Sequence, residues 1–201
     1  MMSGDNVTSG DNQQETVRTR LDPMWVVGFV DGEGCFSVTV HRNPYVRRTR
    51  GWQLHPTFQV YQHHQHRAVL EDVASFFGCG RIRAKGPKSN VLTYAVDSLL
   101  DLEEDILPFF EHHPPVVKAA DFRLFAEIVR SMRRKEHLMP GGFERVVRLA
   151  YAMNANGKQR SRSLASVLAG SSETARQAPA VELAKIQSDP RGDTRSQAEM
   201  P

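Results

Sequence analysis

The chain has 201 residues and a mass of 22.6 kDa, enough for one domain that buries a real core with tails to spare. Its two cysteines, Cys35 and Cys79, make neither a disulfide framework nor a metal-ligand spacing. No signal-peptide core and no bilayer-length apolar run is present, so secreted and membrane-spanning classes are excluded and a reducing compartment is expected. The net charge is only +3, yet residues 40–90 hold nine Lys/Arg against two acidic residues, with five His besides, while residues 97–111 hold six acidic residues and no Lys/Arg; such segregation is expected where one face meets a polyanion such as a nucleic acid.

Residues 1–20 are polar without apolar periodicity and are expected to form a disordered leader. Asp22 followed by Pro23 reads as an N-cap and first helical residue. A short apolar helix then ends in Asp31-Gly32-Glu33-Gly34, two carboxylates at the negative end of the helix dipole, where anions are unfavourable unless a cation joins them. Gly34 is expected to stop the helix with φ > 0. Gly28 and Gly32 are four apart and share one face, where another backbone could come close.

From Cys35 to His41, Phe36, Val38 and Val40 alternate with Ser37, Thr39 and His41, the period of a half-buried strand. The loop Asn43 to Gly51 carries Arg47, Arg48 and Arg50 around Tyr45 and is too basic for core. A second strand is expected over Gln53 to Gln62, with Leu54, Phe58 and Val60 on one side and Gln53, His55, Thr57 and Gln59 on the other. Pro56 within it points to an edge or a bulge. Ala68 to Phe77 reads as an amphipathic helix closed by Gly78, and Arg81 to Lys85 and Val91 to Val96 as a hairpin. The register leaves open which face takes Leu92 and Tyr94. Ser98 to Phe110 reads as an acidic helix broken near Pro108, and Val116 to Arg134 as a helix with Phe122, Phe125, Ile128, Val129 and Met132 inward. Further helices are expected over Phe143 to Met153 and Ser163 to Leu168. Lys158 and Arg160 are candidates for contact with a phosphate backbone, and a disordered tail is expected from residue 171.

This order predicts an α+β fold in a domain spanning 21–170: a four-stranded antiparallel sheet with helices on one face. The open face would display Ser37, Thr39, His41, Gln53, His55, Thr57, Gln59, Arg81, Arg83 and Lys85, side-chain types that read base edges and phosphates. The histidines from His63 to His66 lack the partners of a zinc site or of an HNH-type nuclease and read as exposed loop residues.

The segment Val26-Val27-Gly28-Phe29-Val30-Asp31-Gly32-Glu33-Gly34 resembles the LAGLIDADG motif of homing endonucleases, with Val-Val in place of the first Leu-Ala and Glu33 at the last acidic position. The similarity runs from about Leu21 to about Leu168, through Phe58-Gln59-Val60 and the helix start at Lys118. It implies the family's fold, in which the sheet forms a DNA-binding saddle and the motif helix packs on a second such helix. With one motif present, the resemblance is to the single-motif homodimeric group, and Val27, Gly28, Asp31 and Gly32 would lie at the interface of two copies. It further implies that Glu33 binds Mg²⁺ (or Mn²⁺), that Asp31 braces the helices instead of ligating metal, and that Gln62 and Lys118 complete the catalytic set. His66 falls where the family often has a cation.

The implied activity is site-specific cleavage of double-stranded DNA at a long pseudo-palindromic target by an intron-encoded, free-standing protein in a bacterial cytoplasm or organelle interior. An RNA maturase acting on intron RNA, a non-catalytic DNA-binding protein on the same fold and an inactive relic are the alternatives.

Overall fold

Helix α1 (Pro23–Glu33) starts as its sequence dictates: Asp22 Oδ1 accepts from the backbone N–H of Met24 at 2.8 Å and of Trp25 at 3.1 Å, and Pro23 needs no donor there. The computed structural model describes residues 21–46, 49, 51–154 and 162–171. Arg47, Arg48, Arg50, Lys158 and Arg160, together with residues 1–20 and 172–201, lie outside the described residues.

At the end of α1 the expectation for Gly34 needs correcting. Its φ is −90°, extended, because the helix passes directly into β1 (Gly34–Arg42) without a reversal. Glycine is needed there for space instead: a Cβ would stand 2.7 Å from both the carbonyl oxygen and Cγ1 of Val30. β2 (Trp52–His63) pairs antiparallel with β1, followed by a 3₁₀ turn (His64–His66), α2 (Arg67–Phe77), β3 (Arg81–Ala84) and β4 (Val91–Val96). The four strands form one antiparallel sheet in the order β1-β2-β4-β3. Pro56 sits opposite Val38 in β2, which is interior only from Phe58 onward, where β4 joins it; the proline occupies a stretch with a neighbour on one side only. Gly78 closes α2 with φ 71°.

The stretch after β4 is not broken at its proline. α3 (Leu99–Asp101) and α4 (Leu107–His112) are joined by a π-helical turn, Leu102–Ile106. Pro108 has no N–H to give and its ring crowds the carbonyl four residues back, and the wider turn absorbs both. α5 (Ala119–Arg133) begins three residues later than the apolar pattern suggests, because residues 116–118 form a turn tied to α1. A 3₁₀ turn (Glu136–Leu138), α6 (Gly142–Ala152) and α7 (Leu164–Ala169) follow.

The register settles the hairpin: Tyr94 and Val96 turn with Phe58 and Val60 onto the helix-covered face, where both are fully buried, and Thr93 and Ala95 face the other way. The covered face is held by aromatic packing. Phe36 lies within 5.2–5.4 Å, ring centre to ring centre, of Phe58, Phe110, Phe122 and Phe125, so two strands and two helices meet on one side chain. At the far end of β1–β2, the guanidinium groups of Arg42 and Arg162 lie over the Trp52 ring at 4.2 and 5.5 Å. No helix among the described residues is long and apolar enough to cross a membrane.

Candidate functional site

Among the described residues the helices lie on one side of the sheet, which leaves the other open. Alternation along β1 and β2 puts Ser37, Thr39, His41, Gln53, His55 and Gln59 there, and β3 adds Arg81 and Arg83, with Lys85 just beyond it. Thr57 belongs to this side by register but is only 4% exposed, packed into the sheet centre with its carbonyl oxygen taking the Ser37 hydroxyl at 3.4 Å. It is therefore not available as the exposed contact the strand pattern suggested. Gln53 and Gln59 already accept from Asn43 Nδ2 (2.6 Å) and the Tyr61 hydroxyl (2.5 Å). Lys85 Nζ lies 4.7 Å from the centre of the Tyr61 ring. His66 is exposed but stands outside the sheet, in the turn that leads into α2.

The two faces differ in how their cations are neutralised. On the helical layer Arg130 pairs with Glu111, Arg133 with Glu103, Arg134 with Glu136, Arg145 with Glu127 and Glu136, and Arg148 with Glu144, at 2.5–3.1 Å. On the open face Arg83 and Lys85 have no carboxylate within 4.0 Å among the described residues. Surface pairs such as these add little stability, but they cancel the positive field of the helical layer and leave that of the sheet. Arg81 is an exception on its own side, since Asp97 takes both its terminal nitrogens. In the sequence Asp97 merges with the acidic run of residues 97–111, one residue ahead of the expected helix; continuing the alternation of Thr93 and Ala95 by one step places it on the open face.

The second cluster sits where α1 ends. Asp31 is a brace: Oδ2 accepts from the Val116 N–H at 2.7 Å and Oδ1 from the Lys118 N–H at 3.1 Å. The ammonium of Lys118 returns to donate to the Asp31 carbonyl oxygen. One turn of backbone is thereby pinned to the helix end, with Lys118 aimed at it. Glu33, two residues on, is exposed, and its carboxylate has no hydrogen-bond or ion-pair partner among the described residues. β2 overshoots β1 at this end: Gly34 pairs with Val60, so Gln62 lies two residues past the last β1 partner, where α1 stops. Its side-chain carbonyl accepts from the His63 N–H at 2.9 Å, which leaves the amide N–H₂ to donate. Cys35 is drawn into the same neighbourhood, its thiol pKa raised by burial against the opposing pull of the Lys118 charge. Asp121 and Asn154 carry no local sequence signal: Asp121 Oδ1 accepts from the Asn154 N–H (2.9 Å), and Asn154 Nδ2 donates to the Phe36 carbonyl on the outer edge of β1 (2.9 Å).

Among the described residues no group of three or more His, Cys, Asp or Glu converges on a point. What the end of α1 offers is one exposed carboxylate. A single hard oxygen donor fits a cation such as Mg²⁺ that is shared with other oxygen ligands, including phosphate, and fits no all-protein zinc cage.

Among the described residues nothing covers the outward face of α1. Met24 is 62% and Trp25 44% exposed, and a Cβ at Gly28 or Gly32 would meet nothing within 4 Å. Val27, expected at a contact between two copies, is 3% exposed and belongs to the protein's own core. The open stripe is Met24, Trp25, Gly28 and Gly32 instead.

The family model described as LAGLIDADG endonuclease matches residues 26–129. A probable intron-encoded endonuclease 3 of Neurospora crassa is 32% identical over 137 residues, 67% of this chain and 25% of that protein. The chain thus spans about a quarter of the length of that relative. The crystal structure of the homing endonuclease I-TnaI superposes with a TM-score of 0.65 at 37% identity, covering 74% of this chain and 97% of that one. I-SmaMI bound to an uncleaved DNA target in the presence of calcium ions superposes with a TM-score of 0.66 at 33% identity, over 74% of this chain and 49% of its own.

Proposed function

Because the chain belongs to the LAGLIDADG endonuclease family, we propose that it is an intron-encoded, site-specific endonuclease that cuts double-stranded DNA as a homodimer, with Mg²⁺ or Mn²⁺ as cofactor. The observation that carries this reading is the tie between Asp31 and Lys118, which holds an ammonium beside the carboxylate-bearing end of a helix whose other face is bare.

In this reading the open sheet face tracks the duplex, and the stripe of Met24, Trp25, Gly28 and Gly32 meets the same stripe of a second copy, with the glycines admitting close backbone approach. A dimer of that symmetry reads a pseudo-palindromic site. Glu33 is the residue that would hold the divalent ion. Such an ion, when bound, activates water and stabilises the departing oxygen. Lys118 offsets the charge that grows on the phosphate during attack, and Asp31 keeps it in place so that little reorganisation is needed. Gln62 uses its free amide N–H₂ to orient a water at the end of the sheet.

Incubating purified protein with Mg²⁺ and duplex DNA of the intronless host gene, beside a Glu33→Gln variant, tests this. A single staggered break that the variant cannot make is the expected result. Tight binding without a cut would instead mark a regulator, and binding of the intron RNA a maturase.

A further inference from the structure

Asp97 puts a negative charge on the face that would meet phosphates. It follows β4 and continues the alternation of Thr93 and Ala95, while Arg81 pairs with Ala95 in the register of β3 and β4. Arg81 Nη1 donates to Asp97 Oδ1 at 2.8 Å and Nη2 donates to Oδ2. His55 Nε2 lies 3.6 Å from the same Oδ2, and the His41 ring meets His55 edge-on with centres 6.4 Å apart. A continuous row of Arg81, Asp97, His55 and His41 thereby crosses the sheet from β3 to β1.

A free carboxylate here would only oppose DNA binding. The Asp97 side chain is 15% exposed, against 55% for Arg81, so the acid is the fixed member of the pair and the arginine the presented one. Burial alone would raise the Asp97 pKa, but the Arg81 hydrogen bonds and charge prevail and hold it below the usual carboxylate value, so the pair stays ionised. Locking a long side chain in advance removes the rotamer entropy it would otherwise lose on binding. End-on pairing through both terminal nitrogens also leaves Nε–H and the second Nη2 proton as a parallel pair. That pair matches O6 and N7 of guanine in the major groove.

We propose that Asp97 is a positioning residue that fixes Arg81 to read one guanine in each half of the target. The inference rests on the DNA-binding function proposed above. The test is enrichment of sequences from a random duplex DNA library by the wild-type chain and by Asp97→Ala, Arg81→Ala, Arg81→Lys and the double Asp97→Ala/Arg81→Ala variant, with melting temperatures and binding of a non-enriched duplex measured alongside. Arg81→Ala is expected to lose about tenfold in discrimination at one guanine per half-site. Asp97→Ala should lose the same position to a similar extent, and the double variant no more than either single one. Arg81→Lys, which keeps the charge but not the fork, should lose it too. Binding of non-enriched duplex by Asp97→Ala should stay level or tighten, since a negative charge has gone; a merely structural role would weaken all binding together.

An unchanged Asp97→Ala profile, or one weakened equally at every position, overturns the inference. So does an Arg81→Ala profile that weakens uniformly with a salt slope reduced by about one, the signature of a phosphate contact. A wild-type chain that enriches no sequence overturns the proposed function along with it, whereas a sharp wild-type profile that ignores Asp97 overturns this inference alone.

Discussion

Lys118 shows how much of a site can hang on one residue. Its backbone N–H and its ammonium both go to Asp31, one to the carboxylate and one to the main chain, so the side chain is held at both ends. Replacing it by methionine keeps most of the volume and removes the charge. Lys118→Met is therefore expected to slow single-turnover cleavage by about a hundredfold or more, with DNA affinity changing by less than tenfold, as quench-flow and binding titrations would report. A loss of affinity that matched the loss of rate would mean that Lys118 only attracts DNA. Glu33 is a candidate from the nine-residue motif, and Gln62 and Lys118 from the family resemblance that runs on along the chain. Asp121 and Asn154 could not be picked out, because their meaning comes from partners 33 and 118 residues away.

At the scale of elements, the sequence was most legible where a local rule acts alone. Asp22 and Pro23 start α1, and Gly78 ends α2 in the left-handed conformation. It was least legible where two demands compete. α1 is apolar on both sides, with Val26, Val27 and Val30 in the core and Met24 and Trp25 outside, so apolarity could not say which side faced inward. Pro108 reads as a break, yet the continuous packing of Leu102, Ile106, Leu107 and Phe110 favours a widened turn over a lost one. Glu136, in the connection between α5 and α6, gives a prediction at this scale. Hydrogen bonds from Arg134 and Ser131, aided by the Arg134 and Arg145 charges, lower its pKa from the usual 4.5 to about 2. A carboxylate depressed in the folded state contributes stability that is complete above about pH 4.5 and is lost as the pH falls toward 2. The Glu136→Gln variant should show a shallower acid limb across that window and a smaller difference from wild type at its low end, read as urea midpoints against pH. Parallel curves would exclude the linkage.

For the whole molecule, the bare stripe of α1 separates what the single chain needs from what an assembly needs. Gly28 lies in a helix interior with open space around it, where glycine costs about 0.5–1 kcal/mol relative to alanine. Gly28→Ala should thus make the isolated chain more stable while weakening its self-association and its cleavage. Sedimentation and thermal melts at low concentration would register the two changes with opposite signs. Coincident losses of stability and association would show that the glycine serves the chain's own core.

The brace between Asp31 and the turn before α5 also orders events in time. Its hydrogen bonds join residues 85 and 87 positions apart, so they form only after both helices have left the ribosome and docked. A nascent or prematurely ended chain holds the acidic end of α1 but has no lysine to set against it. In the proposed function Glu33 and Lys118 therefore come together only in a chain that extends past residue 118, and a fragment that ends earlier lacks half of the pair.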